Sequence, residues 1–105
     1  MDKRGNNLKR LLAPRSIAAV GGRAARNAAQ ASLEAGFSGD VFIINPRLEG
    51  MGGATVLADI ADLPIAPDAA FIGLSPAQSL QTVSALSAMG AGGAILSGSV
   101  TNKSL

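Results

Sequence analysis

The apolar positions of this chain fall into short blocks separated by glycine, proline and polar residues. Ser16-Ile17-Ala18-Ala19-Val20 is stopped by Gly21-Gly22, and Asp40-Val41-Phe42-Ile43-Ile44 lies between Ser38-Gly39 and Asn45-Pro46. Both are too short for a helix, and the second is rich in β-branched and aromatic residues, so both are predicted strands. Their apolarity is continuous rather than alternating, which predicts a sheet covered on both faces, as parallel sheets are. Ala69 to Leu74 and Ala94-Ile95-Leu96 repeat the pattern and give a third and a fourth strand.

Helices are predicted between these blocks. Residues 23–35 contain no breaker, are mostly alanine, and close at Gly36-Phe37, which fits a glycine just past a helix end followed by an apolar contact. Ser75-Pro76-Ala77-Gln78 is a helix start, with serine as N-cap, proline in the first turn and glutamine completing a capping box. That helix runs to about Met89, and Leu80, Val83 and Leu86 give it a drifting but single apolar stripe before Gly90 ends it. Residues 45–58 hold three glycines and no helical period, which predicts a loop with room for a short extended piece. Asp59 to Leu63, before Pro64, reads as one helical turn. The order β-α-β-β-α-β predicts a doubly wound α/β sheet of about four parallel strands with right-handed crossovers, truncated relative to a full fold of this type.

Composition narrows what such a sheet can do. The chain has 105 residues, room for one domain. Residues 1–13 are expected to form a basic leader and residues 14–105 the domain, because Pro14 disfavours helix at the residue before it. Histidine and cysteine are absent, which excludes a His-dependent triad, a phosphohistidine, a thiol nucleophile and a zinc site of the usual kind in this chain. Of the net charge of +2, residues 1–26 carry +6 and the remainder −4. A basic amino end suits nucleic acid, but no aromatic platform accompanies it, so no nucleic-acid partner is expected. No apolar run is long enough to span a bilayer, and the expectation is a soluble, cytoplasmic protein without a membrane partner.

In an open parallel sheet, ligands bind outside the carboxyl ends of the strands. The residues there are Gly21, Gly22 and Arg23 after the first strand, Asn45, Pro46 and Arg47 after the second, Ser75 and Pro76 after the third, and Leu96, Ser97 and Gly98 at the fourth. Glycines at a strand-to-helix turn let backbone N–H groups approach an anion, and Arg23 adds a positive charge. Each also has a plainer reading: a tight turn at Gly21-Gly22, a solvated Arg47, a Ser75 that only caps its helix. No paired carboxylates or base-activated serine emerge, so the chain alone is expected to bind rather than catalyse.

Several segments in order carry a resemblance. Leu11-Leu12-Ala13-Pro14-Arg15-Ser16-Ile17-Ala18-Ala19-Val20-Gly21, Glu34-Ala35-Gly36-Phe37-Ser38-Gly39, Ile44-Asn45-Pro46-Arg47, Ala61-Asp62-Leu63-Pro64, Asp68 and Phe71-Ile72-Gly73-Leu74-Ser75-Pro76-Ala77 together resemble the amino-terminal CoA-binding domain of NDP-forming acyl-CoA synthetases, such as ADP-forming acetate–CoA ligase and the succinyl-CoA synthetase alpha chain. The resemblance spans about residues 11–98 and implies a Rossmann-like fold that binds coenzyme A. It sets Gly21 and Gly22 against the CoA phosphates, Arg47 near the adenosine phosphate, and Ser75, Pro76, Leu96, Ser97 and Gly98 along the remaining wall. In complete members, a histidine in a following domain and an ATP-grasp domain supply phosphoryl transfer, so ATP or ADP would enter only through domains this chain does not carry. The partners implied are CoA and those ligase domains, in cis or as a second subunit. Here the turn after the first strand is shorter than the family's, and Ser97-Gly98-Ser99 replaces its usual continuation.

Two other functions fit the same residues: a regulatory CoA or nucleotide sensor, as in domains fused to lysine acetyltransferases, and a structural domain that has lost its ligand. A dinucleotide-binding redox domain fits less well, since it calls for a full glycine fingerprint and an acidic residue where Asn45 and Arg47 stand. A sheet of so few strands also predicts support from partner domains or a homo-oligomer formed at an exposed edge.

Overall fold

A computed structural model describes residues 9, 10, 12–48, 50 and 52–96. The elements are β1 (Ser16–Gly21), α1 (Arg23–Glu34), β2 (Asp40–Ile44), β3 (Thr55–Leu57), a 3-10 turn (Ile60–Asp62), β4 (Ala69–Gly73), α2 (Pro76–Ala88) and β5 (Ala94–Leu96). They form one sheet in the order β3-β2-β1-β4-β5, with every pairing parallel. This is the doubly wound, Rossmann-like α/β architecture that the hydrophobic pattern predicts, with five strands rather than four. The extra strand is Thr55–Leu57, inside the stretch expected to be a loop with room for a short extended piece. Three residues are too few for a local signal, and what makes them a strand is tertiary: they pair with Phe42–Ile44, and the Asn45 N–H donates to the Leu57 carbonyl at 2.9 Å.

The two faces are covered differently. On one, Ala25 and Ala29 of α1 pack on Ala19, Val41 and Ile43. On the other, Leu86 of α2 and Leu63 of the 3-10 segment pack on Ala18, Val20, Phe42, Ile44, Ala70 and Ile72. Alanine at the α1 contact lets helix and sheet approach closely, so a core with few aromatics is dense without large side chains. Helix α1 ends as its sequence predicts: Gly36 takes φ +88°, its N–H donates to the Leu33 carbonyl, and the Phe37 N–H reaches the Ser32 carbonyl.

Helix α2 departs from the expected stripe. Its buried residues are Ser79, Thr82 and Leu86, with Val83 half-buried, while Leu80 is 72% exposed. A period of three residues loses about 60° per step against a helix of 3.6 residues per turn, so Leu80 and Leu86 end up about 120° apart. Ser79 is tolerated inside because its hydroxyl donates to the Leu74 carbonyl at 3.2 Å.

At the amino ends of the strands, Asp68 ties the structure together. Its Oδ1 accepts from Arg10 Nε at 2.6 Å, its Oδ2 from the Arg15 N–H at 2.8 Å, and its own N–H donates to the Ser16 hydroxyl and carbonyl. Arg10 also donates to the carbonyls of Gly90 and Pro67, which places a cation at the carboxyl end of α2, whose last turn has no basic residue. Arg10 falls in the stretch expected to be a basic leader, and nothing near it in sequence marks its partner 58 positions away. Among the described residues, no helix is long and apolar enough to cross a membrane.

Arg10→Ala should lower stability by about 1–2 kcal/mol, through loss of hydrogen bonds from a charged donor. Hydrogen bonding from the Arg10 guanidinium holds the Asp68 carboxyl below its ordinary range, helped by the Arg15 N–H and opposed by burial. A carboxyl depressed in the folded state contributes stability that is complete above the unfolded value, about pH 4, and is lost as pH falls towards and through the lowered folded value. Urea midpoints measured from pH 7 down to pH 3 should show that acid-side loss in the native chain and a shallower one in Arg10→Ala.

Candidate functional site

The strand order reverses between β1 and β4. The chain leaves β1 for α1 on one face and leaves β4 for α2 on the other, which opens a crevice at the carboxyl ends of the strands. A cleft of about 480 Å³ lies there, lined by Val20, Gly21 and Gly22 from β1, Ile44, Asn45, Pro46 and Arg47 from β2, and Leu74 and Gln78 from the β4–α2 junction.

Its two glycines differ in what they do. Gly21 has φ +131°, and a Cβ added to it would lie 2.4 Å from the Gly73 carbonyl oxygen, so glycine is required by the approach of β1 to β4. A Cβ added to Gly22 would meet nothing within 4 Å, so the space beside it is open. Gly22 is also the N-cap of α1, where no side chain caps the helix and the first turn holds no acidic residue. The first N–H groups of α1 therefore lack both a capping oxygen and a compensating carboxylate, and they carry the positive end of the helix dipole. Helix α2 is the contrast: the Ser75 hydroxyl accepts the Gln78 N–H at 3.3 Å and donates to Gln78 Oε1 at 3.0 Å.

Asn45 joins the parts. Its Nδ2 donates to the Gly21 carbonyl at 3.2 Å, its Oδ1 accepts the Arg47 N–H at 2.9 Å, and its carbonyl accepts the Leu48 N–H across the Pro46-Arg47 turn. Both ends of the side chain are thus committed to backbone. The side chain thereby ties Gly21 and the Arg47 backbone to each other. No lining residue is acidic, and Arg47 is the one cation among them, exposed and without an ion-pair partner among the described residues.

Of the residues singled out from sequence, Gly21, Gly22, Asn45 and Arg47 are brought together in this cleft. Arg23, Ser75 and Pro76 are exposed beside it and do not line it. Leu96 pairs with Ile72 and packs on the α2-side core, away from the cleft, and Ser97 and Gly98 lie outside the described residues. Leu74 and Gln78 line the cleft unanticipated. The capping pattern gives Gln78 a purely local task, and its position five residues past the end of β4, in the first turn of α2 at the switch point, is the signal that it also faces the crevice.

An uncapped helix start, an open glycine and an arginine without a described ion-pair partner thus surround one crevice at a strand switch point, where open α/β sheets bind ligands. The family model for the CoA-binding domain matches residues 15–105. The chain belongs to the CoA-binding domain family. Among curated proteins it is similar to the trans-feruloyl-CoA synthase FCS1 of an unknown prokaryotic organism, at 30% identity over 94 residues that make up 85% of this chain and 13% of that protein. The chain thus spans about an eighth of the relative's length. No solved structure matches it. For a CoA-binding domain the cleft has suitable parts: N–H donors and arginine for phosphates, and apolar Val20, Ile44 and Leu74 for less polar portions of the ligand.

Gly21→Ala should destabilise the fold more than Gly22→Ala, by at least about 2 kcal/mol in thermal or urea unfolding, because only the former drives a methyl into the Gly73 backbone. Asn45→Ala should cost about 1–2 kcal/mol, the result of leaving the Gly21 carbonyl and the Arg47 N–H without their partner.

Proposed function

We propose that this chain is the CoA-binding domain of an NDP-forming acyl-CoA synthetase, and that it holds CoA at the carboxyl ends of β1, β2 and β4. The observation that carries the reading is the uncapped start of α1 at Gly22, open to solvent and facing the same crevice as Arg47, in a chain of the CoA-binding domain family. Gly21, Gly22 and the first N–H groups of α1 take the pyrophosphate, with Arg23 at its flank. Arg47, placed by Asn45, takes the adenosine-side phosphate. Leu74 and Gln78 form the wall along which the pantetheine arm leaves, with Ser75 and Pro76 beside it.

The chain's own chemistry under this proposal is binding and presentation. It contains no histidine to carry a phosphoryl group, so acyl activation and nucleotide turnover belong to other domains of the ligase, in cis or on a second subunit. ATP and ADP meet the system there. The name of the similar synthase supports a ligase of this broad kind. A structural domain without a ligand is favoured by one observation, the single residue, Gly22, that separates β1 from α1.

Isothermal titration of the folded chain with CoA, dephospho-CoA and NAD tests the proposal. CoA should saturate, dephospho-CoA should bind about tenfold more weakly, and Arg47→Ala should lose about tenfold for CoA but little for dephospho-CoA, in line with one charge-assisted phosphate contact. Added salt should weaken CoA binding. A folded chain that binds none of the three would support the structural role instead.

A further inference from the structure

Three polar side chains line the cleft, and they are committed to different degrees. Asn45 spends both ends of its amide on backbone, and Arg47 is the cation on the β2 side. Gln78, exposed on the β4 side, is the third. Its spacing from Ser75 predicts a capping box, in which the glutamine side chain reaches back to the backbone N–H of the cap residue. Instead, Gln78 Oε1 accepts from the Ser75 hydroxyl at 3.0 Å, and Nε2 makes no hydrogen bond among the described residues. The hydroxyl sets which way the amide faces. Its oxygen accepts the Gln78 N–H at 3.3 Å, its proton is free to donate, and the carbonyl end of the amide receives that proton. The donors on Nε2 are left for whatever occupies the crevice.

Polarity changes from one side of the crevice to the other. Strands β2 and β4 flank β1, so their carboxyl ends are two strand spacings, about 10 Å, apart. On the β2 side stands Arg47, and in the middle, at Gly22, is the uncapped start of α1. On the β4 side the start of α2 is already capped by Ser75, and the lining residues there are Leu74 and Gln78, neither of them charged. An extended ligand lying across β1 therefore meets donors for anions first and a neutral, half-apolar wall last. CoA has the same polarity along its length: a phosphorylated adenosine, a pyrophosphate, then an uncharged pantetheine arm that opens with geminal methyl groups, a hydroxyl and an amide.

Resting on the CoA reading above, we propose that Gln78 is the specificity-determining residue for the pantetheine arm. Its Nε2 donates to the first oxygen acceptors of the arm, the hydroxyl or the amide carbonyl, while the methyl groups lie against Leu74. Ser75 is the positioning residue, acting through Gln78 by holding the amide with its donors outward. The chain thereby separates CoA from phosphorylated nucleotides that lack the arm. This discrimination is neutral, unlike the Arg47 contact, so salt that screens the phosphates leaves it in place.

Isothermal titration of the full 105-residue chain with CoA and with 3′-phosphoadenosine 5′-diphosphate, which is CoA without the arm, is the test. The native chain should bind CoA more tightly, by a ratio that added salt leaves unchanged while both affinities fall. Gln78→Leu, which removes the amide donors, should lose about three- to tenfold for CoA, the size of one neutral hydrogen bond, and nothing for the armless nucleotide. Ser75→Ala should lower the ratio by less, and should lower it no further when added to Gln78→Leu. Arg47→Ala should weaken both ligands and keep their ratio. Circular dichroism melts establish that each variant is folded at the titration temperature. Two results overturn the proposal and leave the CoA site standing: equal affinity of the native chain for both ligands, or an equal loss for both in Gln78→Leu, which makes Gln78 a part of the α2 start alone. Binding of neither ligand to the folded native chain overturns the CoA reading and the role of Gln78 with it.

Discussion

The approach of β1 to β4 at Gly21 and Gly73 is the constraint on which the rest of the molecule depends. These central strands share the register Ile17↔Ala69 to Gly21↔Gly73, and at its last step there is no room for a Cβ. The connections diverge from that point, one helix to each face, and the crevice is what remains between them. The same closeness puts the Gly21 carbonyl within reach of Asn45, which in turn holds the backbone of Arg47. Core packing and crevice are thus two consequences of one backbone contact at the switch point.

The two ends of the sheet divide the work. At the amino ends, hydrogen bonds join Asp68 to Arg10, Arg15 and Ser16, and the Asp68 carboxylate is stabilised by a guanidinium and a backbone N–H. At the carboxyl ends, α1 begins without a side-chain cap and without an acidic residue. Donors left unpaired there cost some helix stability, of the order of 1 kcal/mol by comparison with a capped start. Helix α2, whose cap is filled by Ser75, shows that the fold accommodates a cap where none is needed for binding.

Much of this was legible in the residues. The continuous apolar runs Val41–Ile44 and Ala69–Ile72 specify buried parallel strands, and Gly36 and Ser75 specify helix ends through local chemistry alone. Gly21, Gly22, Asn45 and Arg47 could be placed at one end of the sheet because topology puts every strand-to-helix turn there. What escaped the sequence depends on partners distant along it. Thr55–Leu57 is a strand because β2 lies beside it, and Arg10 is ordered because Asp68 awaits it. Leu80 lies outside the core because a three-residue spacing drifts off the helix face. The Asn45 side chain also bonds backbone 24 positions away, a role no local pattern announces.

The most direct test of the central claim, that CoA is held at the open start of α1 where β1 and β4 diverge, is an amide chemical-shift titration of the isotopically labelled chain with CoA. The account predicts saturable shifts concentrated at Gly21, Gly22, Arg23, Ala24 and Arg47, with Arg15, Asp68 and Gly92 at the opposite end of the sheet unmoved. Saturable shifts centred on the Arg10–Asp68 end, or none at all in a folded chain at millimolar CoA, would contradict it.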